Sequence, residues 1–220
     1  MQVDLSPEET FSEGSGSRVL VLACGALARE IMQLFNQMKA ADCDLRCLPA
    51  SLHNEPQKIP NLLREKLQQY SPNYDRVFVA YADCGTGGLI DKVLADFPNA
   101  VRLQGAHCYA TYSGQDNFAA LMDEELGSFF LTDYMVRQFD QLIIKGMGLD
   151  RHPQLRDMYF GHYRRVVYQA QVKDELLYAK AEKAAETLGL DFEYRYTSMG
   201  ELQEFIADAI IKKEKLTWQN

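Results

Sequence analysis

The stretch VFVAYADCGTGGLIDKVL, residues 77–94, decides the fold. With Arg76 it starts as a continuous apolar run, so residues 76–82 predict a strand covered on both faces. Asp83-Cys84-Gly85-Thr86-Gly87-Gly88 then bends the chain, and an amphipathic helix follows from about Thr86. A strand that feeds a glycine-rich turn and a helix is the repeating piece of a parallel α/β sheet.

The same grammar extends in both directions. RVLVLA (18–23) predicts the first strand; Cys24-Gly25 end it, and residues 26–39 carry helical spacing. Residues 44–48 predict a second strand closed by Pro49, with the loop PASLHNEPQKIP leading to a helix near 61–70. Downstream come a short strand at 101–103, a turn in GAHCYATYSG, a helix near 115–125, a strand at 128–131 and a helix from Asp133. Gly146, Gly148 and Pro153 interrupt the pattern. It resumes with a strand from Arg165, a helix over 175–188 stopped by Gly189, the strand DFEYRYTS and a final amphipathic helix. The expectation is one α/β domain over 18–220, mainly parallel and Rossmann-like, a layered sheet with helices on both faces. Any division into lobes is expected near 146–153. The acidic, polar start, residues 1–17, reads as a flexible leader.

The 220 residues carry a formal net charge of −8, with 47% hydrophobic and 25% charged residues. These are ordinary globular proportions and enough chain for a core. An acidic chain argues against nucleic acid or an anionic membrane as partner, since both need a basic footprint. There is neither a membrane-length apolar run nor the pattern of a secretory signal, so a cytoplasmic setting is expected. Five cysteines in that setting are buried hydrophobes, metal ligands or reactive thiols, not a disulfide scaffold.

Ligands of parallel sheets gather at the carboxyl ends of the strands. Cys24 follows the first strand, Cys84 the third, and Cys108 stands just after the fourth. His107 precedes Cys108, and His53 lies in the loop after the second strand, on the same edge. Thiolates with imidazole are the ligand set of zinc, iron or an iron–sulfur cluster. Cys24, Cys84 and Cys108 are therefore the expected metal ligands, with His53 or His107 as a further ligand or base. A thiol nucleophile is the competing reading, because a helix starting near Thr86 would lower the Cys84 pKa. Gly85, Gly87 and Gly88 can cradle an anionic cofactor with backbone N–H groups, or serve only to bend the chain. Asp83 caps the turn or orients a histidine. Cys43 and Cys47 share one strand face about 13 Å apart; they read as small hydrophobes rather than joint ligands.

ACGALAREI, LPASLHNEPQKIP, VAYADCGTGG, GAHCYA, FFLTD and YFGHYRR together resemble a bacterial and archaeal family, the domain-of-unknown-function family 1638. The resemblance covers nearly the whole chain after residue 17. It implies a site shared by Cys24, His53, Asp83, Cys84, His107, Cys108 and Tyr109. It further implies a link to corrinoid-dependent methyltransferase systems. The functional expectation is a zinc or iron–sulfur protein of corrinoid-linked one-carbon metabolism, acting on a small molecule or a corrinoid protein. The alternatives are a non-catalytic module that binds a corrinoid protein or methyltransferase, and a metal-free cysteine-nucleophile transferase.

Overall fold

A computed structural model describes residues 18–40 and 43–217, with side-chain surroundings described as far as 210. The expected leader, residues 1–17, lies outside the described residues. The chain forms two compact units. The first comprises residues up to Cys108 together with those from Leu202 onward; the second is Tyr109–Glu201. Each unit holds one of two separate sheets, and residues 146–153, where a break into lobes was expected, lie within the second unit.

In the first unit, β1 (Val19–Cys24), β2 (Cys43–Leu48), β3 (Arg76–Ala80) and β4 (Ala100–Arg102) pair in the order β2-β1-β3-β4. All three pairings are parallel. Helix α1 (Ala28–Met38) joins β1 to β2, α2 (Ile59–Tyr70) joins β2 to β3, and α3 (Leu89–Leu94) joins β3 to β4. Right-handed crossovers moving in opposite directions place α1 on one face and α2 with α3 on the other. Strand parity agrees. Leu20 and Leu22 of β1, Leu48 of β2, and Val77 and Val79 of β3 join Leu63, Leu67, Ile90 and Val93 in one core. On the alternate face Phe78 meets Phe205 edge-on at 5.5 Å. Phe205 belongs to the last helix, α9 (Gly200–Thr217).

The second unit carries α4 (Cys108–Ser113) from Tyr109 onward and α5 (Gln115–Glu124), then β5 (Ser128–Thr132) and α6 (Asp133–Arg137). A π-helical stretch (Asp140–Lys145) precedes α7 (Leu155–Phe160), β6 (Arg165–Ala170), α8 (Glu175–Leu188) and β7 (Asp191–Tyr196). Its sheet is parallel, in the order β5-β6-β7. Helix α8 stops at the expected glycine and is capped at its start by an aspartate. Asp174 accepts the N–H of Leu176 and Leu177, and Gly189 closes the helix at φ 72°. Helix α4 occupies GAHCYATYSG, where a turn was expected. Gly105 and Gly114 punctuate this segment, but the six residues from Cys108 still complete a short helix.

The second sheet is pinned at its carboxyl edge by one buried carboxylate. Asp133 is fully buried and accepts the Tyr168 hydroxyl at 2.8 Å and the N–H groups of Gln171 and Val172 at 3.1 and 3.2 Å. Arg137 stands 3.6 Å away, one helical turn on. The charge is thus surrounded by donors, the condition for keeping it inside a fold.

Candidate functional site

The reversal in strand order falls between β1 and β3: the chain leaves β1 toward β2 and leaves β3 toward β4. This switch point is where open parallel sheets hold ligands, beyond the carboxyl ends of the strands. Cys24 ends one flanking strand and Cys84 follows the other.

Close contacts bind the loops at this edge into one wall. A Cβ on Gly25 would stand 3.0 Å from the Leu48 carbonyl and 3.1 Å from the Ala50 N, so only glycine lets the first loop lie against the second. A Cβ on Gly85 would stand 3.8 Å from the Pro56 ring of the second loop. Asp83 and Cys84 donate backbone N–H bonds to Gly105 and Ala106 at 2.9 and 2.8 Å, which ties the third loop to the fourth.

Inside the third loop, Asp83 organises the turn. Its carboxylate accepts the Thr86 hydroxyl at 2.8 Å, the Gly87 N–H at 3.0 Å and the Gly88 N–H at 2.8 Å. Desolvation opposes its ionisation. The Gly88 N–H, the Thr86 hydroxyl, the Gly87 N–H and the Arg102 charge outweigh that and hold the carboxyl below its ordinary pKa. The glycine-rich loop therefore cradles its own anion, and an external phosphate would have to displace Asp83 from Gly87 and Gly88. Asp83 builds the turn; its oxygens are spent there rather than on a histidine.

The turn places Cys84 at φ 50°, a left-handed conformation that costs a non-glycine residue about 1–2 kcal/mol. Strain of this kind collects where a side chain must be aimed. The thiol packs with Cys24 against the core of the α2–α3 face. Its pKa is pushed up to about 12, by burial first and then by Cys24 and Asp83; the Ala82 and Cys108 N–H groups pull it back in part. The expected lowering by a helix terminus is overturned: α3 begins at Leu89, five residues beyond the cysteine, and burial dominates. Cys24 is likewise raised by burial, against the Ala26 N–H and the Tyr81 hydroxyl. Burial and Cys24 raise Cys47 to about 12.

Two members of this cluster were not expected. Tyr81 extends the Val77–Val79 face by one step. Its hydroxyl is buried without a hydrogen bond of full geometry, and burial together with Cys24, Cys84 and Cys47 raises its pKa. Cys47 pairs in register with Ala23, next to Cys24. Strand parity could have found Tyr81, since Val77, Val79 and residue 81 share a face. Cys47 could be found only by knowing that β2 lies beside β1.

His53 and His107 interact. Burial first and His107 second push the His53 imidazole below its ordinary pKa. His53 nevertheless keeps more than a third of its surface open to solvent. Both histidines and Cys108 stand on the loops of this same edge. Of the three expected ligands, Cys24 and Cys84 interact, and the Cys108 backbone N–H meets the Cys84 thiol. Among the described residues no three His, Cys, Asp or Glu side chains form a ready-made ion site. Tyr109 lies in the second unit, where its hydroxyl donates to Met135 Sδ at 3.2 Å and its ring packs on Phe118 and Phe130.

Residues 47–206 match the family described as protein of unknown function (DUF1638). The chain belongs to that family. The match includes His53, Asp83, Cys84, His107 and Cys108, and Cys24 precedes it. No curated protein matches the chain.

Proposed function

We propose that this family member binds a soft metal centre, zinc or an iron–sulfur cluster, at the switch point of its first sheet, for methyl-group chemistry in corrinoid-linked one-carbon metabolism. The observation that carries the reading is the meeting of Cys24 and Cys84 there, with Tyr81 buried beside them and Cys84 held in a strained turn. The donor chemistry fits. These thiols are buried and mutually unfavourable as anions, and a bound cation is what reverses that balance.

Cys24 and Cys84 would be the anchoring ligands. Cys108 would complete the set, with His53 or His107 as the further ligand or base. A metal there would supply Lewis acidity and hold a substrate thiol as its thiolate. His53 is predisposed to remain neutral at pH 7, able to accept a proton or a metal. The Asp83 turn keeps Cys84 aimed, and the tight contact at Gly25 fixes the loop that carries Cys24. The raised thiol pKa values disfavour a metal-free nucleophile, which needs thiolate at neutral pH.

Anaerobic purification with metal, sulfide and visible-absorption analysis tests the proposal. Near-stoichiometric metal is expected, lost in Cys24→Ser and Cys84→Ser. Acid-labile sulfide separates a cluster from zinc. Adding zinc to stripped protein should release at least about two protons per ion at pH 8, since both anchoring thiols begin protonated, and a larger release would report Cys108 as a third thiolate ligand. Wild-type protein that carries no metal and cannot be reconstituted sinks the reading.

A further inference from the structure

Strand β7, DFEYRY, is an edge of the second sheet and pairs only with β6. The hydrogen bonds from Asp191 N–H to Arg164 and from Thr197 N–H to Ala170 show that the odd residues turn their backbone groups toward β6. In a parallel ladder the even residues then point theirs the other way. The N–H and C=O groups of Phe192, Tyr194 and Tyr196 accordingly face outward, and no other described backbone group bonds them. The strand contains no proline or lysine to protect the edge, and its charges, Asp191, Glu193 and Arg195, are of both signs.

Its two faces differ. Phe192 and Tyr194 pack with Tyr178 of α8, at ring separations of 5.3 and 5.2 Å, and Tyr194 also meets Tyr168 at 5.7 Å. Tyr194 is still 37% exposed and Tyr196 48%. Glu193 and Arg195 lie on the other face and contact each other, Arg165 and Glu124.

We propose that β7 pairs antiparallel with β7 of a second copy of this chain, about a two-fold axis through Tyr194, joining two three-stranded sheets into one. Charge selects the register. With Tyr194 opposite Tyr194 of the second copy, Glu193 faces Arg195, Arg195 faces Glu193, and Phe192 faces Tyr196. Axes through residue 193 or 195 would set Glu193 against Glu193 or Arg195 against Arg195. An axis through Phe192 would set Asp191 against Glu193. Like charges directly opposite destabilise a sheet. The backbone selects the same register. The outward-facing pairs 194:194, 192:196 and 196:192 are hydrogen-bonded pairs that exchange two bonds each, about six in all. The aromatic residues then form one ladder across the joint, and a closed two-fold interface leaves neither β7 as an edge.

Sedimentation of the full-length chain tests this. Wild-type protein is expected at twice its 25.1 kDa mass at tens of micromolar. Tyr194→Pro removes the outward N–H, together with the ring that packs on Tyr178 and Tyr168, so it should halve the mass, with far-UV circular dichroism checking that the variant still folds. Arg195→Glu sets like charges opposite Glu193 and should weaken association on the order of tenfold. Hydrogen exchange of the wild-type protein needs no variant. The amides of Phe192, Tyr194 and Tyr196 should gain protection as concentration rises. A wild-type monomer throughout this range overturns the proposal. So does a dimer that leaves these amides unprotected, or one that both folded variants retain.

Discussion

Cys84 combines a strained backbone with a thiol held protonated. In metal-free protein it should alkylate more slowly at pH 8 than a free thiol, with a rate still climbing toward pH 12. Metal should abolish the reaction. A rate at pH 8 above that of the unfolded chain would contradict the burial argument. The linkage has a definite sign. An unfolded cysteine ionises near pH 8.5, whereas Cys84 and Cys47 in the fold do so near 12. Between those values the unfolded chain binds fewer protons, so stability is intact below about pH 8.5 and falls as pH rises through the window. Urea unfolding at successive pH values measures it, and Cys47→Ala should flatten the fall. Cys24 and Cys84 were legible in the sequence because both stand at strand ends. Tyr81 passed for one more apolar strand residue, although its hydroxyl sits among the thiols. The pKa of Cys84 was misjudged because the turn runs on to Gly88 before helix α3 begins.

The Asp83-to-Gly88 turn acts as an element of its own. Asp83→Ala would strand the Gly87 and Gly88 amides and leave the Thr86 hydroxyl only the residue-83 carbonyl, at a cost of about 1–3 kcal/mol in thermal or urea unfolding. It should also loosen metal affinity through Cys84. An unchanged midpoint would mean that water serves the turn as well as Asp83 does. Strands and long helices were readable because their apolar periods run over several residues, as in β1, β3 and α8. Helix α4 was not. Six residues between glycines are too few for a helical period to show. The phosphate-cradle pattern was present in the letters, but only the folded turn shows an internal carboxylate on those amides.

At the scale of the molecule, two parallel sheets replace one. The sequence alternates strand and helix without a pause across 108–109, and no local signal marks where strand pairing stops. The class of fold was therefore legible and the partition was not. The partition has its own test in Asp133. Asp133→Ala leaves Arg137, the Tyr168 hydroxyl and two amides around an emptied buried site. The loss should be about 3 kcal/mol or more. Hydrogen exchange should locate it in 109–201 and leave β1 and β3 protected. Equal loss in both sheets would show that the two units unfold as one.

Helix α9 closes over Phe78 from the far end of the chain, with Leu202, Ile206 and Ala209 fully buried. The first unit is therefore built from two stretches of chain separated by the whole of the second, and one face of β3 depends on residues that follow all the others of that unit. A released chain truncated after Glu201 should accordingly be cut in its first unit by a protease while residues 109–201 resist, because only the first unit has lost a covering helix. Resistance of both units would show that α9 is dispensable to the first sheet.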